Sequence, residues 1–171
     1  MFIGHIPASY LLTRRLLRST GPALQRRLLW LGLAAGIAPD LDLLWFFLVD
    51  QRRHVHHSYL THIPGAWILT LSGAAAVLSF RRASRASWLA LCVIGANGLL
   101  HLVLDSVAGG IRWLWPWTGR EFALAHVAGN RTPWFMNFVL HWTFGIELVL
   151  VAAALLVWLR SRTPAEDLVR G

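Results

Sequence analysis

The stretch APDLDLLWFFLVDQRRHVHHSYLTH, residues 38–62, places many possible metal ligands beside an apolar segment. Asp40 and Asp42 follow Pro39 in otherwise apolar surroundings. Pro39 lacks a backbone N–H donor and disfavours helix at the preceding residue, so we expect a kink or local unwinding there. The same stretch also holds four histidines, His54, His56, His57 and His62. Carboxylate oxygens and imidazole nitrogens this close together indicate a metal site.

The composition excludes an ordinary soluble domain. Of the 171 residues, 56% are hydrophobic and only 14% are charged, and the mean hydropathy is +0.53. Long apolar segments at 28–49, 63–80, 87–111 and 136–159 are near the length that crosses a bilayer. We therefore predict an all-α integral membrane bundle of about five helices, in which these four segments follow a short N-terminal helix at 1–18. Residues 1–159 would form one domain, and 160–171 a polar, disordered tail.

The net charge of +8 comes entirely from arginine. The arginines cluster at predicted helix ends, where membrane orientation and lipid headgroups explain them, so we do not expect nucleic-acid binding. The positive-inside rule would place the arginines at 14–27, 81–85 and 160–162 on the cytoplasmic side. The loops at 50–62 and 112–133 would then lie on the non-cytoplasmic face.

A second group of polar residues lies in the segment 87–111. His101 and Asp105 are four residues apart and project from one helix face, and Asn97 extends that stripe by another turn. Ionisable residues inside an apolar span are costly and usually functional, although a structural hydrogen-bonded pair is the alternative. The predicted topology brings this pair to the same membrane depth as residues 38–62 and as His5, at the start of the first helix.

We therefore predict one composite site. Its expected metal ligands are His5, Asp40, Asp42, His57, His62, His101 and Asp105. Asp42 and Asp105 are also the predicted catalytic residues. Because Asp40 and Asp42 are two positions apart, either an unwound turn aims both inward or one of them orients a ligand histidine. Thr61 could cap the following helix.

The remaining polar residues are more ambiguous. His54 and His56 fit exposed loop positions as well as a site. Glu147, in the last span, could bind substrate, handle protons, or form a hydrogen bond to another helix. Arg112 could contact an anionic headgroup or anchor the protein at the membrane interface. We predict Arg112 and Glu147 as substrate-binding residues.

These motifs resemble those of the YdjM/YbcI family of inner-membrane, metal-dependent hydrolases. The matching elements, in chain order, are Gly4-His5, Pro39-Asp40-Leu41-Asp42, His57-x4-His62, His101-x3-Asp105 and Leu114-Trp115-Pro116. The arrangement is similar, more distantly, to zinc-dependent phospholipase C. That second resemblance implies clustered zinc ions, with Asp105 as a possible bridge between two metals, and a phosphoester substrate.

We therefore expect a hydrolase in the cytoplasmic (inner) membrane of a prokaryote, with its site on the non-cytoplasmic face. One or two divalent ions, most simply zinc, would activate water to cleave a phosphoester in a lipid or lipid-linked substrate. The alternatives are an ion or small-molecule transporter, a metal-binding membrane protein without hydrolytic activity, and a haem-binding anchor. The sequence leaves the oligomeric state open.

Overall fold

The computed structural model describes residues 3–133 and 135–162, and within them it confirms an all-helical chain. The predicted tail at 160–171 lies, beyond residue 162, outside the described residues. Three single turns of 3-10 helix occur at Pro39–Leu41, His56–Ser58 and Leu60–His62. The α-helices of the described part are α1 (His5–Leu16), α2 (Pro22–Ile37), α3 (Asp42–Leu48), α4 (Pro64–Phe80), α5 (Arg85–Asp105), α6 (Met136–Val139) and α7 (Thr143–Arg160).

Helix α5 is the centre of the bundle and packs against α1, α2 and α4. It begins where the Ser84 hydroxyl accepts a hydrogen bond from the Ser87 backbone N–H, which satisfies one donor of the first turn. Helix α7 packs against α1. One end of the bundle is closed by a hydrophobic core of Leu17, Leu28 and Val93.

The prediction of four long membrane-spanning segments is wrong. Among the described residues, two helices, α5 and α7, are long and apolar enough to cross a membrane. A third span is present if the bent pair of α2 and α3 counts as one. Helix α4 has 17 residues, which corresponds to a length of about 26 Å and falls short of a typical bilayer core. It cannot start earlier because the 3-10 turn Leu60–His62 precedes it and Pro64 occupies its first position.

The predicted kink at Pro39 is present. The axes of the helical segments before and after it differ by 53°, and residues Pro39–Leu41 form a 3-10 turn. The missing N–H of Pro39 interrupts the helical hydrogen bonds, so the chain turns there. As a result, Asp40 lies in the turn between α2 and α3 and Asp42 begins α3, so neither is inside a continuous helix.

The last predicted segment, 136–159, is also interrupted. The short helix α6 ends at Val139, and α7 begins at Thr143. Between them the His141 ring nitrogen Nδ1 contacts the Thr143 hydroxyl at 2.9 Å and also accepts from the Thr143 backbone N–H. These local hydrogen bonds compete with a continuous helix, which accounts for the break.

Helices α1 and α2 approach each other closely because α2 carries glycine at the contact. A Cβ atom on Gly36 would lie 1.9 Å from the Ser9 hydroxyl oxygen, and one on Gly32 would lie 2.2 Å from that of Thr13. Small residues spaced four apart allow helix backbones to meet in this way. The contact brings His5, one turn before Ser9, to the end of α2.

The tryptophan-rich loop at 106–133 folds back on the end of α5. Ile111 and Phe122 exchange two backbone hydrogen bonds, and the Leu124 N–H donates to the Ser106 carbonyl at 2.7 Å. The Trp113 indole N–H donates to the Ser106 hydroxyl at 2.8 Å. The loop is therefore fixed next to Asp105, the last residue of α5.

Candidate metal centre

Four ligand atoms from three parts of the chain converge at one end of the bundle. Asp40, His62, His101 and Asp105 each contribute one atom, and all four atoms lie within 4.8 Å of one another. Asp40 follows the break in α2, and His62 ends a 3-10 turn before α4. His101 and Asp105 lie in the last turns of α5. The fold therefore brings together residues that are far apart in the sequence.

The spacing of these atoms suits a tetrahedral ion. Asp40 Oδ1 lies 3.7 Å from His62 Nε2 and 3.5 Å from His101 Nε2. Asp105 Oδ2 lies 3.5 Å from His62 Nε2 and 2.9 Å from His101 Nε2. Neighbouring ligand atoms around tetrahedral zinc are separated by about 3.3 Å, given usual zinc–ligand distances. The four residues can surround one ion with little movement.

The two histidines of this set are oriented by their other ring nitrogens. His101 Nδ1 donates to the Gly36 carbonyl at 2.7 Å; since a carbonyl only accepts, the proton must be on Nδ1. His62 Nδ1 lies 2.8 Å from Asp42 Oδ2. Both Nε2 atoms then face the cluster, where they are buried and have no hydrogen-bond partner among the described residues. Such unsatisfied nitrogens fit metal ligation.

Asp42 contacts the Nδ1 side of the His62 ring and is not one of the four residues whose ligand atoms converge. Its Oδ2 atom holds His62 Nδ1 and accepts a hydrogen bond from the Thr61 hydroxyl at 2.5 Å. This is the orienting contact that the sequence left open for one of the two aspartates. The prediction that Thr61 caps α4 is wrong, because Ile63 is the capping residue and no side chain caps the helix. Trp67, in α4, fixes this segment by donating its indole N–H to the Thr61 carbonyl at 2.7 Å.

Two further predicted ligands, His5 and His57, contact Asp105. His5 Nε2 lies 3.2 Å from Asp105 Oδ1, and its ring stacks on His101 with centroids 3.8 Å apart. His57 Nε2 lies 3.7 Å from Asp105 Oδ2. A Cβ on Gly109 would lie 2.3 Å from the His57 ring, so only glycine leaves room for His57 there. The two carboxylate oxygens of Asp105 therefore face different histidines.

His56 also belongs to the cluster, although the sequence did not distinguish it from an exposed loop residue. Its Nδ1 atom lies 3.6 Å from Asp42 Oδ1, and with His57 and His62 it forms a second group able to hold an ion. His54, by contrast, is exposed and pairs with Asp50 at 2.8 Å. No sequence signal separates these two histidines, because both precede His57 in the same loop.

The electrostatics of the loop histidines differ with their surroundings. Burial lowers the pKa of His57 to about 3, in spite of the nearby Asp105 carboxylate. Burial also opposes protonation of His62, but the neighbouring carboxylates of Asp105, Asp40 and Asp42 outweigh it and raise its pKa to about 10. Burial and the neighbouring His62 lower the pKa of His56. The position of His62 between the three carboxylates thus favours the positively charged form of its ring.

The cluster is open on one side. The side chains of His62, His101 and Asp105 are almost completely buried, whereas that of Asp40 is 30% exposed. His56 and His57 are also partly exposed. A small molecule can therefore approach from the side formed by Asp40 and these two histidines.

The two predicted substrate-binding residues have protein partners. Glu147 is buried and accepts hydrogen bonds from the backbone N–H groups of Ile3 and Gly4, the latter at 2.9 Å. Arg112 is partly exposed, and two of its guanidinium nitrogens lie 2.9 and 3.1 Å from Glu121 Oε1. Roles in substrate binding stay predictions for both residues.

Comparison with known families identifies the family of this chain. Residues 1–165 match the family described as YdjM inner membrane protein. The chain belongs to this family. The resemblance inferred from the motifs is therefore confirmed, and so is a place in the inner membrane. No curated protein and no solved structure matches the chain.

Proposed function

We propose that this YdjM-family protein is a metal-dependent hydrolase that cleaves a phosphoester in a lipid or lipid-linked substrate. The observation that carries the proposal is the convergence of Asp40, His62, His101 and Asp105, whose ligand atoms lie within 4.8 Å of one another while the Nδ1 atoms of both histidines are held by Asp42 and by the Gly36 carbonyl. Two imidazole nitrogens and two carboxylate oxygens form a donor set that suits zinc. A divalent ion would supply Lewis acidity and an activated water.

The residues around that ion would have different roles. Asp105 is the central ligand, because its second oxygen faces His5 and could join a second ion to the first. Asp42 acts through His62, whose ring it holds by hydrogen bonding at Nδ1. Asp40, on the open side, is the ligand next to the arriving substrate. One ion is supported by the four-atom group, and a second would use His5 or the loop histidines.

The surroundings of the site support a lipid substrate. A Cβ on Gly65, in the first turn of α4, would contact the Trp115 carbonyl oxygen at 3.2 Å, so the tryptophan-rich loop packs beside the site. Trp117 in this loop is 85% exposed, and Leu114 is also exposed. Exposed aromatic and aliphatic side chains at the end of spanning helices are typical of a membrane interface. The phosphoester is proposed from the resemblance to phospholipase C.

The interior of the bundle favours hydrolysis over transport. The polar row of α5 ends at Asn97, whose amide donates to the Thr13 hydroxyl at 2.9 Å and to the Val93 carbonyl. Beyond it, Leu17, Leu28 and Val93 form a tightly packed hydrophobic core. A transporter needs a polar path across the bilayer, and this core interrupts such a path.

The metal centre can be tested by elemental analysis of detergent-purified protein. We expect wild type to retain stoichiometric zinc or another divalent metal, and His101→Ala and Asp105→Ala to lose it. His54→Ala is the matched control, because it removes an exposed histidine that pairs with Asp50 outside the cluster. A wild-type protein without metal, or cluster variants that hold as much metal as wild type, would overturn the metal site.

The reaction can be tested with mixed micelles of phosphomonoester and phosphodiester lipids. We expect phosphate or headgroup release by wild type and by His54→Ala, and none by Asp105→Ala. A metal-loaded wild type that releases neither product from either lipid class would refute the phosphoesterase and favour a metal-binding protein without this activity.

A further inference from the structure

We propose that Glu147 is a positioning residue, which reaches from the last spanning helix to hold the start of the chain and so places His5 in the metal centre. The inference rests on the proposed function, because it gives a role to a residue that supports one of the expected ligands. It assigns to Glu147 a structural part in the site, in place of the substrate contact that the sequence predicted.

Helix α7 buries very little of its surface. Among its described residues only Thr143 and Glu147 are buried, and they are one turn apart on the side that faces α1. Glu147 is 4% exposed in a segment that is otherwise apolar. Burying a carboxylate in such surroundings is costly unless hydrogen bonds compensate for the loss of water.

The compensation comes from the backbone that leads into α1. The N–H groups of Ile3 and Gly4 both donate to Glu147 Oε2. Gly4 is the capping residue of α1, and no side chain of its own helix caps that end. The first N–H groups of a helix lack intrahelical partners and carry partial positive charge, so a carboxylate from another helix stabilises them. Glu147 thus fixes the entry of α1.

His5 is the first residue of α1, directly after these two anchored residues. Its ring lies against His101 and reaches Asp105 through an ion-pair contact of 3.2 Å. Its Nδ1 atom has no hydrogen-bond partner among the described residues. The ring therefore lacks the contact at Nδ1 that orients the rings of His62 and His101. Besides the stacking on His101 and the contact with Asp105, the placement of the ring depends on the backbone that Glu147 holds.

The first test uses metal-free protein and hydrogen–deuterium exchange of the peptide that covers residues 3–8. Glu147→Ala should exchange faster than wild type there, because two backbone donors lose their acceptor. Thr143→Ala is the matched control, since it alters the other buried side chain of α7 and should leave exchange at residues 3–8 unchanged. Equal exchange in Glu147→Ala and wild type would overturn the positioning role whether or not the protein binds metal.

The second test measures zinc dissociation constants in a double-mutant cycle with His5→Ala. Residues that position a metal ligand without binding the metal typically contribute about 10–100-fold to metal affinity. We therefore expect Glu147→Ala to weaken zinc binding by that factor. In the His5→Ala background, Glu147→Ala should cause no further weakening, because it acts through His5. Glu147→Gln, which keeps an acceptor oxygen without the charge, should weaken binding less than Glu147→Ala.

The outcomes separate the two proposals. Equal weakening by Glu147→Ala in both backgrounds, or an unchanged zinc affinity, would refute positioning through His5 while the wild-type metal site stands. A wild-type protein that binds neither zinc nor another divalent metal would refute the proposed function, and the exchange measurement would still decide whether Glu147 holds the start of α1.

Discussion

The two ends of the helical bundle are stabilised in different ways. At the site end, histidines and aspartates are buried together, and the rings of His62 and His101 are held by Asp42 and by the Gly36 carbonyl. At the opposite end, a core of leucine and valine side chains fills the bundle, and arginines follow the helix ends. The bond between Asn97 and Thr13 marks the boundary between them.

Because of this difference, substitutions at the arginine end should mainly change the stability of the bundle, and substitutions at the site end should mainly change metal affinity. Apolar burial at the arginine end contributes to folding without requiring precise side-chain orientation. At the site end, polar groups are placed by specific hydrogen bonds, so the loss of one partner should change the geometry of the site more than the stability of the bundle. Three variants test this contrast, from the largest expected effect to the smallest.

The largest effect is expected from Leu17→Ala at the arginine end. Leu17 is fully buried against Leu28 and Val93, and truncating such a leucine costs about 2–5 kcal/mol in the free energy of unfolding. Zinc affinity should stay at the wild-type value. Denaturation in detergent, followed by tryptophan fluorescence, measures the first quantity, and zinc titration measures the second.

The neighbouring Leu16 provides the control. It is 41% exposed, so Leu16→Ala should cost much less stability than Leu17→Ala in the same detergent. The separation of the two ends would be contradicted if Leu17→Ala weakened zinc binding as strongly as it lowered stability under conditions in which the protein is still folded.

An intermediate effect is expected from Asp42→Asn at the site end. The neutral amide cannot match the carboxylate as a partner for His62 Nδ1, so zinc affinity should fall about 10–100-fold with a small change in stability. Asp50→Asn is a close match, because Asp50 also bonds a histidine Nδ1 but in the exposed pair with His54. Equal zinc affinities in the two variants would show that the orientation of His62 does not matter.

The smallest effect is expected from Arg112→Gln. The pair with Glu121 is partly exposed, and such pairs contribute about 0–1 kcal/mol, so stability and zinc content should hardly change. If Arg112 contacts an anionic headgroup, Arg112→Gln should raise KM for a lipid substrate, whereas Glu121→Gln, which frees the arginine, should not. A KM that rises equally in both variants would assign the effect to the fold of the loop.

Much of the site could be predicted because its residues follow helical geometry. The four-residue spacing of His101 and Asp105 places both on one face of α5, and Asn97 follows one turn away on the same buried stripe. The bend at Pro39 follows from the missing backbone donor. These are local properties of the chain, and a sequence reports local properties directly.

Other features could not be predicted because they depend on contacts between distant segments. His56 lies in the cluster and His54 lies outside it, although both belong to one loop. Asp42 turns towards His62 and Thr61, and no rule of spacing selects it over Asp40 for that role. The segment predicted at 87–111 runs past the end of α5 at Asp105, and the segment predicted at 136–159 begins before the start of α7 at Thr143, since apolar composition continues through the turns at these helix ends.

The sequence by itself determined that this chain is a helical membrane protein of the YdjM family, with histidines and aspartates at spacings that suit metal ligands. Apolar composition is sufficient to predict the membrane helices, and the short motifs are sufficient for the resemblance to the family, because both are local properties of the chain. The tertiary structure decided which ligands face one another, which aspartate orients a histidine, and that Glu147 reaches the start of α1. Those outcomes depend on how helices pack, and packing is a property of the whole bundle.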